Sequence, residues 1–121
     1  MRKEETANEL FTFANENGFV ATLYGVFGPC VKVKIAFSKK ACETNIDELE
    51  FSVRANNAMK RAGLFTIGDI VDLIANEQLA TIRNLGKKTE NEIKTKILNF
   101  GYERLTDKEK KQFFLDVIEN N

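Results

Sequence analysis

In the second half of the chain apolar residues recur every three or four positions, and each such run is opened by a residue that caps helices. Ser52 opens a helix running to Ala62, with Ala55, Ala58, Met59 and Ala62 on its inward side and Gly63 as a left-handed stop. Thr66 and Asp69 form an acidic capping box for a helix to Ala75 whose Ile67, Ile70, Val71 and Ile74 share a stripe. Asn76 caps a short helical turn bearing Leu79 and Ile82. Thr89 and Glu92 form a second box for a helix to Phe100, with Ile93, Ile97 and Phe100 aligned and Gly101 at its end. A third box, Thr106 with Glu109, opens a last helix whose Phe113, Phe114, Val117 and Ile118 lie on one face. That face needs a partner surface, from either the short helices or the N-terminal segment.

The first 45 residues read differently. A helix is expected over Lys3 to Asn15, followed after Gly18 by two apolar runs, Phe19 to Phe27 and Cys30 to Phe37, that flank Gly28-Pro29. In the second run Val31, Val33, Ile35 and Phe37 alternate with Lys32, Lys34 and Ala36, so period two around a turn predicts a β-hairpin with one wet face. Gly-Pro is not among the preferred two-residue hairpin turns. The polar stretch Ser38 to Asn45 reads as a linker. The expected fold is therefore mainly α: a compact bundle of short helices over residues 46–101, preceded by a small α+β segment (helix plus β-hairpin, residues 1–45) and followed by an amphipathic helix over residues 102–121.

Composition narrows the chemistry. A chain of 121 residues holds one compact core, or a small domain plus a subdomain. Lys plus Arg and Asp plus Glu each number 18, so any affinity for nucleic acid must come from a local basic patch. Histidine is absent, which excludes histidine general bases, His-based triads and the common catalytic zinc sites. No glycine-rich nucleotide loop is present, and Asp69 and Asp72, three apart on one helix, read as a solvated acidic face. An enzyme is not expected, and no cofactor or metal is implied. Cys30 and Cys42 form no CxxC pair and read as reduced, packed thiols of a cytoplasmic protein. The start, MRKEETANEL, lacks the apolar stretch of a secretory signal, and no run is apolar enough for a membrane span.

Two constellations remain. On the helix from Ser52, residues three, four or seven apart share a face, which gathers Arg54, Asn57 and Arg61 on the outward side. Two arginines and an asparagine suit phosphate and base-edge contact, and the same pattern also describes a solvated helix surface. The second is Asn84-Leu85-Gly86-Lys87-Lys88-Thr89, which delivers the chain into a helix N-terminus. There, unpaired backbone N–H groups, the positive end of the helix dipole and two lysines favour an anion, and Gly86 lets a phosphate approach closely. An ordinary turn with a capping glycine and two solvated lysines fits these residues equally. Lys32, Lys34, Lys39 and Lys40 read as a charged outer face that protects the hairpin from pairing with other chains.

IDELEFSVRANNAMKRAGLFTIGDI followed by LATIRNLGKKTENEIKTKI resembles the C-terminal domain of the bacterial RNA polymerase alpha subunit. The resemblance runs from Ile46 to about Gly101 and is specific through two motifs in combination, SVRxxN and NLGKK(S/T)xxE. It implies a set of short helices with a helix-hairpin-helix-like element that binds the minor groove of A·T-rich DNA and touches sigma factors, transcription regulators or other parts of RNA polymerase. Carried onto this sequence, it implies that Arg54 enters the minor groove with Asn57 beside it. Gly86, Lys88 and Thr89 would contact phosphates, and Glu92 would orient Arg54 or a lysine. Ala58 replaces a cysteine common in the family. At 121 residues there is no room for the large N-terminal domain through which alpha dimerises, so a stand-alone, transcription-associated DNA-binding protein is expected. Two other readings stand beside it: a protein-interaction module that binds a regulator or polymerase component with the DNA surface weak or unused, and the targeting module of a nuclease or repair assembly.

Overall fold

The computed structural model describes residues 2–28, 31, 33, 37–76, 78–83 and 85–121. Among these the chain is helical: α1 (Lys3–Asn17), α2 (Phe19–Phe27), α3 (Lys39–Cys42), α4 (Val53–Arg61), α5 (Ile67–Ala75), α6 (Lys87–Glu103) and α7 (Asp107–Asn120), with 3₁₀ turns at Ile46–Leu49 and Leu79–Thr81. They fall into two compact units, one built from residues 1–35 and 102–121 and the other from residues 36–101, with the division inside α6.

In the first unit α1 packs against α2 and α7. Ala7, Leu10, Phe11 and Ala14 of α1 are buried, as are Phe113, Phe114 and Val117 of α7, so the apolar face of the last helix is covered by the N-terminal helices. Phe19 lies parallel to Tyr102 at 3.9 Å between ring centroids, and Phe113 meets Phe19 edge-on at 5.3 Å. Edge-on and stacked pairs of this kind add to the burial of the rings themselves. The Lys110 ammonium stands 5.2 Å over the centre of the Tyr102 ring and that of Lys111 5.2 Å over Phe11, cations set against aromatic faces. The Tyr102 hydroxyl is buried without a hydrogen-bond partner among the described residues, and burial first, with Asp107 adding to it, pushes its pKa up to about 12.

The expected hairpin does not form among the described residues. Its first arm, Phe19–Phe27, is α2: Phe19, Thr22 and Leu23 are buried, a spacing of three and four rather than two, and Thr22 N–H donates to the Gly18 carbonyl at 3.1 Å. A short apolar run is compatible with either element, and a hairpin standing alone buries too little to persist in water. A helix satisfies its own backbone and lays one face on α1. In the second arm Val31, Val33 and Phe37 are not in a strand, while Cys30, Lys32, Lys34, Ile35 and Ala36 lie outside the described residues.

The second unit is centred on Ile46, Phe51, Ala55, Met59, Ile67, Ile70, Leu79, Ile93 and Ile97. The segment expected as a linker contributes α3, capped by the Ser38 hydroxyl, which accepts from Ala41 N–H at 3.1 Å, and Ala41 joins the core. An antiparallel bridge ties it to the start of α5, with Ile46 N–H donating to the Phe65 carbonyl at 3.0 Å and Ile67 N–H to the Thr44 carbonyl at 2.9 Å. The Thr66–Asp69 capping box is formed, and Phe65 N–H also donates to Asp69 at 3.1 Å. That bond, opposed by desolvation and joined by those of Thr66, holds the Asp69 carboxyl below its usual range. Asp72 is exposed, as is Ala62 at the end of α4, which the helical pattern assigns to the inward side. Cys42 is a half-buried free thiol.

Gly68 in the first turn of α5 lets α3 come close, since a Cβ there would lie 3.0 Å from the Cys42 Cβ and 3.2 Å from its carbonyl oxygen. Because backbone cannot swing aside as a side-chain tip does, Gly68→Ala is expected to destabilise the protein by about 1–3 kcal/mol in urea unfolding. Unchanged stability would show that α3 yields freely.

Candidate nucleic-acid interface

α4 starts cleanly because the Ser52 hydroxyl accepts from Ala55 N–H at 3.1 Å, one of the donors a helix start leaves unpaired. Ala55, Ala58 and Met59 turn inward, which leaves Arg54, Asn57 and Arg61 on the opposite side, facing solvent. Arg54, in the first turn, makes no hydrogen bond or ion pair among the described residues. Arg61 Nε donates to the Asn57 carbonyl at 3.3 Å, which draws the guanidinium along the helix.

The second constellation is built differently from the expectation. α6 begins at Lys87, not after Thr89, and Glu90 N–H donates to the Gly86 carbonyl at 2.9 Å. Gly86 therefore occupies the cap position, and the N–H groups of Lys87, Lys88 and Thr89 are those with no acceptor inside the helix. The Thr89 side chain is buried, with the residue 6% exposed, whereas Gly86, Lys87 and Lys88 are exposed. A Cβ on Gly86 would meet nothing within 4 Å, so the protein itself does not require a glycine there. Asn84 lies outside the described residues, as do Lys32 and Lys34. Lys39 and Lys40 are exposed on α3.

Glu92, expected as half of a local capping box with Thr89, is engaged elsewhere. Its carboxylate accepts from Ser52 N–H at 2.7 Å and from the Ser52 hydroxyl at 2.8 Å, reaching across forty positions of sequence to the cap of α4. One turn further along α6, Lys96 donates to the carbonyls of Leu49 (3.4 Å) and Glu50 and lies 5.6 Å from the centre of the Phe51 ring. Glu50 has φ 54°, a left-handed conformation unusual for a residue with a side chain, and the Lys96 ammonium sits on the carbonyl this turn exposes. The Ser52–Glu92 and Glu50–Lys96 contacts together fix the entry of α4 on α6. The sequence expectation names Glu92 and misses Lys96, and only their i, i+4 spacing hints that they act as a pair. On the far side of the same entry Lys60 pairs with Asp47 at 3.2 Å, an exposed contact of small energetic weight.

Desolvation raises the Glu92 pKa, but the two Ser52 bonds and the charge of Lys96 outweigh it and hold the carboxyl below its ordinary 4.5. A carboxylate whose folded pKa is depressed contributes stability above its unfolded pKa and loses it as pH falls through the folded value. Glu92→Ala is expected to cost about 1–2 kcal/mol near neutral pH. Glu92→Gln should make stability fall less steeply than in the parent protein as the solution is acidified below 4.5. Parallel acid profiles for Glu92→Gln and the parent protein would mean that the Ser52 tie carries no charge-dependent energy.

Residues 35–99 match the family model for the C-terminal domain of the bacterial RNA polymerase alpha subunit. The protein is similar to the DNA-directed RNA polymerase subunit alpha of Symbiobacterium thermophilum, 47% identical over 62 residues that make up 51% of its own length and 19% of that relative. It is likewise similar to that of Syntrophomonas wolfei, at 43% over 70 residues (56% of its own length, 22% of the relative), and to that of Malacoplasma penetrans, at 48% over 63 residues (52% and 19%). It thus spans about a fifth of the length of these curated relatives. No solved structure matches it. The family match, covering more than half of the sequence and all of the α4 surface and the start of α6, shows that the protein belongs to the family of the C-terminal domain of the bacterial RNA polymerase alpha subunit.

Proposed function

We propose that the protein is a non-catalytic, transcription-associated DNA-binding protein of the cytoplasm that inserts Arg54 into the minor groove of A·T-rich duplex. Asn57 assists beside it and Arg61 extends the same face. Gly86, Lys87, Lys88 and Thr89 hold the backbone phosphates, with the turn at Leu79–Thr81 and α6 acting as the helix-hairpin-helix-like element. Because the Thr89 side chain is buried, its share of phosphate contact falls to its main-chain N–H.

The observation that carries this reading is the tie between Ser52 and Glu92. Ser52 lies two residues before Arg54, and Glu92 lies five residues, about 7.5 Å, beyond the first residue of α6. The minor-groove arginine and the phosphate-binding helix start are therefore held near one another by a short, charge-assisted contact. A narrow A·T minor groove attracts arginine through its enhanced negative potential, and unpaired N–H groups at a helix start favour phosphate. The curated relatives are named as RNA polymerase alpha subunits, which supports polymerase, a sigma factor or a transcription regulator as the protein partners.

Fluorescence anisotropy against A·T-rich and G·C-rich duplexes tests the reading. The parent protein is expected to prefer A·T-rich DNA, and Arg54→Ala to lose about 1–3 kcal/mol and that preference with it. Lys88→Ala should weaken both duplexes alike and reduce the salt slope by about one. Gly86→Ala should fold as the parent does yet bind DNA more weakly, because the space its Cβ would occupy is open in the protein. If neither duplex binds at low salt, this surface is not used for DNA and the protein-interaction reading takes its place.

A further inference from the structure

Beside the proposed DNA face, the end of α4, the middle of α5 and the segment after the Leu79–Thr81 turn line an open groove of about 660 Å³. Its floor is apolar, from Ala58, Leu64, Leu73 and Ile82, while Arg61 and Arg83 stand at its walls. Among the described residues no carboxylate lines it, and Arg83 makes no ion pair. Among the described residues Arg61 commits only its Nε, to the Asn57 carbonyl, which leaves its other N–H donors without a partner there.

We propose that this groove is a docking site for an acidic peptide segment that carries one apolar anchor side chain between carboxylates. Two guanidiniums flanking an apolar floor match that chemistry on both counts. Arginine recognises carboxylates bidentately, and the floor, in which Ala58 and Ile82 are buried while Leu64 and Leu73 keep partial exposure, gains from covering by a Leu or Phe side chain. A phosphate backbone would satisfy the arginines but leave the apolar floor without a counterpart, so a peptide fits better than nucleic acid. A helical segment presenting its anchor and charges one turn apart would meet floor and walls together. The site stands on observations separate from the Ser52–Glu92 tie and goes beyond the DNA reading, with which it shares Arg61.

The test uses the 121-residue protein and a fluorescein-labelled amphipathic peptide with a leucine anchor and glutamates one turn before and after it. Two control peptides replace the leucine by alanine or the glutamates by lysines. Saturable binding of the first peptide is expected, with each control at least about tenfold weaker. Arg83→Ala and Ala62→Glu, the latter placing a carboxylate at an exposed position lining the groove, should each weaken the first peptide about tenfold without lowering the thermal midpoint. Arg54→Ala should lose duplex affinity and keep the peptide, which separates this site from the DNA reading. The proposal is overturned if the lysine peptide binds as well as the glutamate one, if no peptide saturates, or if Ala62→Glu leaves affinity unchanged. It is equally overturned if duplex DNA displaces the peptide while Arg83→Ala and Ala62→Glu lose duplex affinity by the same factor, an outcome that assigns the groove to nucleic acid.

Discussion

The carboxylate of Glu92 is where the second unit is joined. α4 presents arginines and an asparagine to solvent, and α6 presents a run of unpaired N–H groups behind two lysines; polar groups turned to solvent do not fix their own position by packing. What fixes them is that each helix buries its other face, Ala55 and Met59 on one and Ile93 and Ile97 on the other, and that Glu92 closes the exposed end of this contact by gripping the cap residue of α4. Such a grip has direction as well as strength, since the carboxylate must meet both the N–H and the hydroxyl of one serine. A purely apolar contact would let α4 slide or rotate along α6, and the outward arginines would move with it.

Lys96 does for the incoming backbone what Glu92 does for the helix itself. The left-handed residue Glu50 turns the backbone out of the Ile46–Leu49 3₁₀ turn and towards α4, a conformation that costs on the order of 1 kcal/mol for a residue with a side chain. The ammonium resting on its carbonyl offsets that cost and remains within reach of Glu92. Opposite charges one turn apart on α6 thus divide the work, the acid taking the donors of a helix start and the base taking the acceptors of the turn before it.

How far the sequence foretells these features depends on whether a signal is local. The capping boxes at Thr66–Asp69 and Thr106–Glu109 are formed as expected, because every atom involved lies within four residues and nothing nearby competes. The third box, Thr89–Glu92, has the same spelling and is not formed, because Ser52 arrives from forty positions away and takes the glutamate, while the helix start moves back to Lys87. Phe19–Phe27 departs from expectation for a related reason. A nine-residue apolar run carries little periodicity of its own, and whether it becomes strand or helix is settled by the α1 surface it must cover, which is invisible in the run itself. The polar stretch before Asn45 hides α3 because its one core residue, Ala41, is too small to stand out among lysines. The outward placement of Arg54, Asn57 and Arg61, by contrast, follows from helical spacing alone. The groove beside them does not, since it is assembled from α4, α5 and the segment beyond.

The stacked pair Phe19–Tyr102 has one more consequence. The protein has no tryptophan and two tyrosines, Tyr24 and Tyr102, and both belong to the unit formed by residues 1–35 and 102–121. Near-ultraviolet absorption and emission beyond those of phenylalanine therefore arise wholly from that unit, and the unit bearing the proposed DNA face has only phenylalanine as an aromatic chromophore. The native protein carries its own reporter for one half and a clean background for the other, so a single tryptophan introduced into residues 36–101 would let the melting of each unit be followed separately in one sample.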